Sequence, residues 1–250
     1  MIPVRLLQFT DPHLYGDERE CLRGVATLPA LRRAIAHAQA HHWNADALLV
    51  TGDLVQDDPG GYATFRSVFG ALGKPVLCLP GNHDDLPAMR AALDEAPYDT
   101  RDFVDFGPWR VVLLDSVIPG AAGGRLSADA LERFARALEG AAARHALVCL
   151  HHHPVAMSSR WLDKVGLENA AEFFNVVDAH HNVRAVLWGH VHQEFDALRG
   201  NVRLLATPST CAQFLPRSND FAIDVRPPAY RTLTLGADGT VDTHLVWVDA

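Results

Sequence analysis

Apolar segments in the first 80 residues alternate between strand and helix character. The runs at residues 4–10, 47–51 and 76–79 predict strands, and residues 28–40 and 61–72 predict helices. Asp58 followed by Pro59 is typical of the start of a helix, so this pair is expected to cap the second one. Strands separated by helices pair in parallel, and the sequence therefore predicts a βαβαβ unit.

The later segments shift towards strands separated by turns. Strands are predicted at 103–106, 110–114, 146–150 and 185–188, and helices at 128–138, capped by Ser127, and near 169–179. Further strands are predicted at 194–198, 202–206, 221–225, 231–235 and 243–248. No linker or repeat interrupts these elements, so we predict one α/β domain over residues 1–250, with two mixed sheets flanked by helices.

Composition narrows the class of protein. The chain is 48% hydrophobic and 21% charged, as in ordinary globular proteins, and its longest apolar runs are too short to span a membrane. The first residues lack the features of a signal peptide, so a cytoplasmic protein is expected. The net charge of −8 and the presence of only two lysines, Lys74 and Lys164, argue against nucleic acid as a partner. Homo-oligomer formation stays open.

Polar clusters follow five of the predicted strands. Their residue types are carboxylates, imidazoles and an amide, without thiolates, which favours Mn, Fe or Zn over a structural zinc site. Even seven of these side chains are too many for one tetrahedral ion and suit two neighbouring ions. Taken singly, a carboxylate after a strand is more often a helix cap or a turn residue than a metal ligand. The clusters are Asp11-Pro12-His13, Gly52-Asp53, Gly81-Asn82-His83-Asp84, His151-His152-His153-Pro154 and Gly189-His190-Val191-His192.

These five blocks, in this order, resemble the calcineurin-like metallophosphoesterase superfamily. Three longer stretches, at residues 10–14, 52–57 and 206–214, are similar to the class III cyclic nucleotide phosphodiesterases, the bacterial 3',5'-cyclic AMP phosphodiesterase family. The resemblance covers nearly the whole chain and implies a four-layer αββα sandwich.

The resemblance also implies the residues of the site. Asp11, His13 and His192 would hold one metal ion, Asn82, His152 and His190 a second, and Asp53 would bridge them. His152 is chosen by counting back from Pro154, and His151 is the alternative. The cofactors implied are two divalent or mixed-valence ions, Fe or Mn first, with Zn or Co as alternatives. The side chains expected to face the substrate are His13, Asp53, Asn82, His83 and His192.

The implied reaction is hydrolysis of 3',5'-cyclic AMP to 5'-AMP. A hydroxide between the metal ions would attack phosphorus in line, with Asp53 and His83 as the catalytic residues and His83 protonating the departing oxygen. Related phosphatases orient this histidine with an aspartate where this chain has Gln56, so Asp57 or Asp84 is expected to replace it. Residues 207–214 either supply the adenine side of the pocket or form a turn.

Two other functions compete with this hypothesis. One is a broader metallophosphoesterase that acts on glycerophosphodiesters, other cyclic nucleotides or phosphomonoesters, since the metal blocks alone do not exclude it. The other is a scaffold without catalytic activity, which has no need for a complete set of ligands. The sequence therefore favours an enzyme.

Overall fold

Two six-stranded mixed sheets lie face to face and carry helices on their outer sides. The computed structural model describes residues 2–249; Met1 and Ala250, the two ends of the predicted domain, lie outside the described residues. The strands are β1 (Val4–Phe9), β2 (Cys21–Leu22), β3 (Val25–Ala26), β4 (Ala47–Thr51), β5 (Val76–Leu79), β6 (Tyr98–Asp99), β7 (Phe103–Phe106), β8 (Trp109–Leu113), β9 (His145–Leu150), β10 (Val183–Trp188), β11 (Phe195–Arg199), β12 (Val202–Ala206), β13 (Gln213–Phe214), β14 (Ile223–Asp224), β15 (Ala229–Leu235) and β16 (Val241–Trp247). The helices are α1 (Thr27–His41), α2 (Gly61–Phe69), α3 (Leu86–Ala92), α4 (Ala128–Glu139) and α5 (Ala170–Ala179), with 3-10 turns at Gly70–Leu72 and Leu162–Lys164.

Parallel strands form the centre of each sheet. The first sheet has the order β16-β15-β1-β4-β5-β6 and the second the order β11-β12-β10-β9-β8-β7. Strands β1, β4, β5 and β6 are parallel, as are β12, β10, β9 and β8, and the remaining strands pair in antiparallel fashion. The predicted βαβαβ unit is confirmed as β1-α1-β4-α2-β5.

The hydrophobic core explains the layers. Successive side chains of a strand point to opposite faces, so Leu48 packs against α1 and α2 whereas Leu49 packs between the sheets. On the other side, Phe134 of α4 and Phe173 of α5 cover the second sheet. The predicted αββα order is therefore confirmed. No helix among residues 2–249 has both the length and the hydrophobicity needed to cross a bilayer.

Several element boundaries differ from the sequence prediction. Gly60, not Asp58, caps α2, because the Asp58 carboxylate accepts hydrogen bonds from the Gly16 and Gly60 backbone one turn earlier. The strand predicted at 221–225 shrinks to the two residues of β14. Helix α3 was not predicted, although Asp85 caps it by accepting a hydrogen bond from Ala88 N. The Ser127 cap of α4 is confirmed by its hydrogen bond from Ala130 N.

Candidate metal centre

The polar clusters meet at one edge of the two sheets. The carboxyl ends of neighbouring parallel strands share an edge, and ligands of α/β proteins bind there. Backbone hydrogen bonds from Asp11 N to Gly52 O (3.2 Å) and from His13 N to Asp53 O (3.0 Å) join the first two loops. The side chains at this edge are Asp11 and His13 after β1, Asp53 after β4, Asn82 and His83 after β5, His151 and His152 after β9, and His190 and His192 after β10.

Four buried side chains form a first donor group: Asp11, His13, Asp53 and His192. The Nε2 atoms of His13 and His192 lie 3.1 Å apart. Asp11 Oδ1 lies 3.3 Å from His192 Nε2, and Asp53 Oδ2 lies 3.7 Å from His13 Nε2. One ion therefore has access to two imidazoles and two carboxylates.

A second group surrounds the Nε2 atom of His151. This atom lies 3.2 Å from Asn82 Oδ1, 3.2 Å from His190 Nδ1 and 3.3 Å from Asp53 Oδ2. The same carboxylate oxygen, Asp53 Oδ2, thus faces both groups. A shared carboxylate of this kind is the bridging ligand expected between two metal ions.

The donor spacing fits metal coordination. Two donors about 2.1 Å from one ion and 90–110° apart lie about 3.0–3.4 Å from each other. Hydrogen bonds on the far side of the rings also fix the tautomers. His151 Nδ1 donates to Thr51 O (2.9 Å) and His192 Nδ1 donates to Ala212 O (2.7 Å), so Nε2 is the nitrogen of each ring that faces the site and would bind a metal. Carbonyl contacts of this type orient metal-binding histidines.

Burial and neighbouring charges have opposing effects on the pKa values at the site. Burial lowers the pKa of His13 to about 4, which keeps this ring neutral and able to bind a metal. Burial by itself raises the pKa of Asp53, but the charge and hydrogen bond of His151 outweigh burial and hold that pKa well below its ordinary value. Burial likewise disfavours a charged His151, yet the Asp53 carboxylate raises its pKa to about 9. A site that stabilises a buried cation in this way is suited to metal ions.

His152 has different surroundings from His151. Its Nδ1 lies 2.8 Å from the Ser116 hydroxyl, and its Nε2 has no hydrogen-bond partner among the described residues. Its described hydrogen bonds and ion pairs include neither Asn82 nor Asp53. His152 does lie near His190, with ring centroids 4.8 Å apart, and could form a donor group with His151 and His190. The structure therefore brings His151, rather than the predicted His152, to the shared carboxylate.

His83 lies at the mouth of the site. Its backbone N donates to Asp53 Oδ1 (2.9 Å), and its ring centroid is 5.4 Å from that of His13. Its Nδ1 lies 2.9 Å from Asp57 Oδ2 and 2.9 Å from Gln56 Nε2. Gln56 Nε2 also donates to Asp57 Oδ2 (2.7 Å), so of the two candidate aspartates Asp57 is the one whose carboxylate contacts the His83 ring.

Asp84, the other candidate partner, has a different role. Its buried carboxylate accepts hydrogen bonds from Gly81 N (2.9 Å), Leu54 N (3.1 Å), Val55 N (3.3 Å) and the Tyr62 hydroxyl (3.0 Å). It therefore ties the loop that carries Asp53 to the loop that carries Asn82.

Residues 207–214 pack against the loop that carries Asp11. Thr207, Ser209 and Thr210 are fully buried, and the Ser209 hydroxyl donates to Asp11 O (2.7 Å). Ser209 thereby fixes the loop after β1, and none of the three side chains has exposed surface on which a base could lie. Phe214, by contrast, lies flat on the His192 ring, with centroids 4.1 Å apart.

An aromatic surface continues from Phe214 away from the metal ligands. Trp161 and Phe221 lie 5.2 Å and 5.4 Å from Phe214, and Arg23 lies over the Phe221 ring at 4.8 Å. Phe221 is 44% exposed. Trp161 and Phe221 were not predicted as site residues, and their signal in the sequence was their aromatic character near the predicted site.

Comparisons with known proteins agree with this geometry. The profile of the calcineurin-like phosphoesterase family matches residues 4–194. The 3',5'-cyclic adenosine monophosphate phosphodiesterase CpdA of Pseudomonas aeruginosa is 41% identical over 98% of this chain and 90% of its own length. The CpdA of Escherichia coli K12 is 41% identical over 97% of this chain and 89% of its own. A dimetal phosphatase from Danio rerio has the same fold, with a TM-score of 0.68, 14% identity and 98% and 99% of the two chains covered. This chain therefore belongs to the calcineurin-like phosphoesterase family.

Proposed function

We propose that this chain is a metal-dependent phosphodiesterase that hydrolyses 3',5'-cyclic AMP to 5'-AMP. The observation that carries the proposal is Asp53 Oδ2, which faces donors of both groups at 3.3 Å and 3.7 Å. Curated cyclic AMP phosphodiesterases that are 41% identical over nearly the full length support the choice of substrate.

The chain offers donors for two ions. Asp11, His13 and His192 would hold one, Asp53 would be shared, and Asn82, His190 and His151 would hold the other. We place His151 there instead of His152 because its Nε2 meets Asn82, His190 and Asp53 at 3.2–3.3 Å. Metal ions bound in such pairs lower the pKa of water and stabilise the charge that develops on a phosphate. Mn or Fe is favoured by the oxygen and imidazole donors, and Zn and Co are the alternatives.

His83 is the proton donor of the proposed reaction. Asp57 accepts a hydrogen bond from its Nδ1, which leaves Nε2 as the atom that protonates the departing 3' oxygen. Its ring is 32% exposed, so it can reach a substrate from the mouth of the site. The hydrogen bond from His83 N to Asp53 Oδ1 keeps the second oxygen, Oδ2, directed at the donor groups.

The aromatic surface supports a nucleotide over a glycerophosphodiester. Phe214, Trp161 and Phe221 begin at the metal ligand His192 and end at an exposed ring. A planar base gains stacking energy on such a surface, whereas a glycerol group does not. The four cysteines form no disulfide within residues 2–249, as is common in proteins of reducing compartments. We therefore propose the cytoplasm as the compartment.

The test is hydrolysis by metal-stripped protein after return of Mn²⁺ or Fe²⁺. Metal-dependent release of 5'-AMP is expected, and Asp53→Ala should abolish it. Asp242→Ala is the matched control, because it removes an exposed carboxylate on β16 and should leave the rate unchanged. Turnover of bis-p-nitrophenyl phosphate without cleavage of cyclic AMP would retain the metal-dependent hydrolase and reject the substrate. No turnover of either compound by metal-loaded protein would reject the enzyme.

A further inference from the structure

A buried arginine without a carboxylate partner lies behind the metal centre. Arg231, on β15, is 2% exposed. All of its described hydrogen bonds go to neutral oxygens: Nη2 donates to Ala206 O (2.8 Å), Nη1 to Thr243 Oγ1 (3.2 Å) and Nε to Thr207 Oγ1 (2.8 Å). Burial lowers its pKa to about 10, so the guanidinium is still charged at neutral pH. The carboxylates of Asp196 and Glu194 oppose this lowering of the pKa, although neither forms an ion pair with Arg231 among the described residues.

A chain of hydrogen bonds connects this arginine with the Asp11 carboxylate. The Thr207 hydroxyl donates to Gln8 Oε1 (2.5 Å), and Gln8 Nε2 donates to Thr51 Oγ1 (2.8 Å). The Thr51 hydroxyl donates to Thr10 Oγ1 (2.7 Å), and the Thr10 hydroxyl donates to Asp11 Oδ2 (2.6 Å). Every side chain in this chain is buried, with at most 2% exposed.

The two ends fix the direction of every bond. Arginine can only donate and an ionised carboxylate can only accept, so each hydroxyl accepts from the Arg231 side and donates towards Asp11. The reverse orientation of the Gln8 amide would place its NH₂ group against the Thr207 hydroxyl proton. Bonds aligned in one direction polarise one another. The donors of the chain are thereby directed at Asp11, although no atom of Arg231 contacts it.

The last hydrogen bond of the chain, from the Thr10 hydroxyl, is made to one of the two carboxylate oxygens of Asp11. Thr10 binds Oδ2, whereas Oδ1 is the oxygen 3.3 Å from His192 Nε2. The backbone closes tightly over this link, since a Cβ atom on Gly189 would lie 2.2 Å from Thr10 Oγ1 and 2.5 Å from Asp11 Oδ2. Only glycine fits there, and the hydroxyl and the carboxylate are therefore confined to this arrangement.

We propose that Arg231 is a positioning residue for the Asp11 carboxylate and acts through this chain. The chain holds Oδ1 towards His13 and His192 and sets the affinity of that donor group for a metal ion. The group around Asn82 and His151 meets the chain only through backbone atoms, in the bonds of His151 Nδ1 with Thr51 O and of His190 N with Asp11, and should be much less sensitive. This inference rests on the metal sites of the proposed function.

The decisive pair of variants is Thr207→Val and Thr207→Ser. Valine has nearly the shape of threonine but cannot pass on the hydrogen bond, whereas serine keeps the hydroxyl. The probe is Mn²⁺ alone, titrated into the metal-stripped full-length chain and followed by the EPR signal of the free ion. Partners behind a ligand commonly change metal affinity 10–100-fold. Thr207 acts through three intermediate side chains, so we expect Thr207→Val to weaken Mn²⁺ binding at one site about tenfold, the lower end of this range. Thr207→Ser should bind Mn²⁺ with nearly wild-type affinity.

Two further comparisons separate positioning from general destabilisation. Thr243→Val removes another hydroxyl bonded to Arg231 but lies off the chain to Asp11, so Mn²⁺ affinity should not change. Thr207→Val should weaken the remaining site in an Asn82→Ala background and have a much smaller effect in a His13→Ala background. If Thr207→Val does not fold, Thr51→Val against Thr51→Ser cuts the same chain at another link.

The outcomes are distinct. Mn²⁺ affinity unchanged in Thr207→Val, equal losses in the valine and serine variants, or an equal loss in Thr243→Val would each overturn the positioning role while the metal sites stand. A wild-type chain that binds no Mn²⁺ would overturn the metal sites of the proposed function and this inference with them.

Discussion

Two adjacent histidines, His151 and His152, are expected to differ sharply in their effect on metal binding. His151 Nε2 lies 3.2–3.3 Å from Asn82 Oδ1, His190 Nδ1 and Asp53 Oδ2. Removal of a residue that only orients a ligand already weakens metal binding 10–100-fold. His151→Ala removes a donor itself, so the loss should be at least about 100-fold at that site, or about 2.7 kcal/mol.

His152→Ala should act on stability instead. It removes the hydrogen bond with the Ser116 hydroxyl, a loss of about 1 kcal/mol, and leaves a gap in a fully buried position. Mn²⁺ affinity should stay close to that of the wild type. The two variants are matched because they delete the same side chain at neighbouring buried positions.

The assay combines Mn²⁺ titration with kcat/KM for cyclic AMP at limiting Mn²⁺, and denaturant unfolding of the metal-free variants serves as the stability control. If His152→Ala loses the ion while His151→Ala keeps it, the assignment from donor distances is wrong and the count back from Pro154 is right. Equal losses in both variants would mean that the spacing of donors around His151 does not determine metal binding.

Three further outcomes follow from the same contacts. Asp84→Ala should lower the free energy of unfolding by about 4 kcal/mol, since four hydrogen bonds of about 1 kcal/mol each are lost; an unchanged urea midpoint would contradict this. His83→Gln should reduce kcat for cyclic AMP about 10²- to 10⁴-fold. Asp57→Asn should reduce kcat less than about tenfold, because the Asp57 carboxylate is 66% exposed and is shared with Gln56. Similar losses of kcat in both variants would show that Asp57 does more than orient the ring. Chelation should lower the melting temperature, because an ion at 100 times its Kd stabilises the fold by about 2.7 kcal/mol; a chelator effect that persists in Asp53→Ala would place the ions elsewhere.

The layers of the fold were predictable because burial leaves a regular pattern. Strands of the parallel core are apolar on both faces, so β4 and β5 appear in the sequence as short uninterrupted apolar runs. Polar residues directly after such runs lie at the carboxyl edge of the sheet, and this places Asp53 and Asn82 together without any knowledge of the fold.

Local details depended on contacts that sequence patterns do not contain. Asp58 has the composition of a helix cap, but Gly16, distant in sequence, competes for its carboxylate. Strand alternation could not decide between His151 and His152, because β9 ends at Leu150 and both histidines lie beyond it. Gln8 and Arg231 carry no signal of their own, since a polar residue in a buried strand becomes meaningful only when its partners are known.

The residues of the metal centre form sharp backbone turns and also supply candidate metal ligands, two roles that their sequence pattern left as alternatives. An aspartate or histidine after a strand is typical both of a turn and of a ligand, and here the same residues are both. Asp11, His13, Asp53, His190 and His192 all have left-handed backbone, with φ between 47° and 65°. Aspartate and histidine tolerate this region better than most residues, but each such residue costs about 1–2 kcal/mol, or about 5–10 kcal/mol for five. That sum approaches the whole stability of an average domain. The hydrogen bonds between the loops must therefore offset it, and the donors meet because the chain turns sharply at each of these residues.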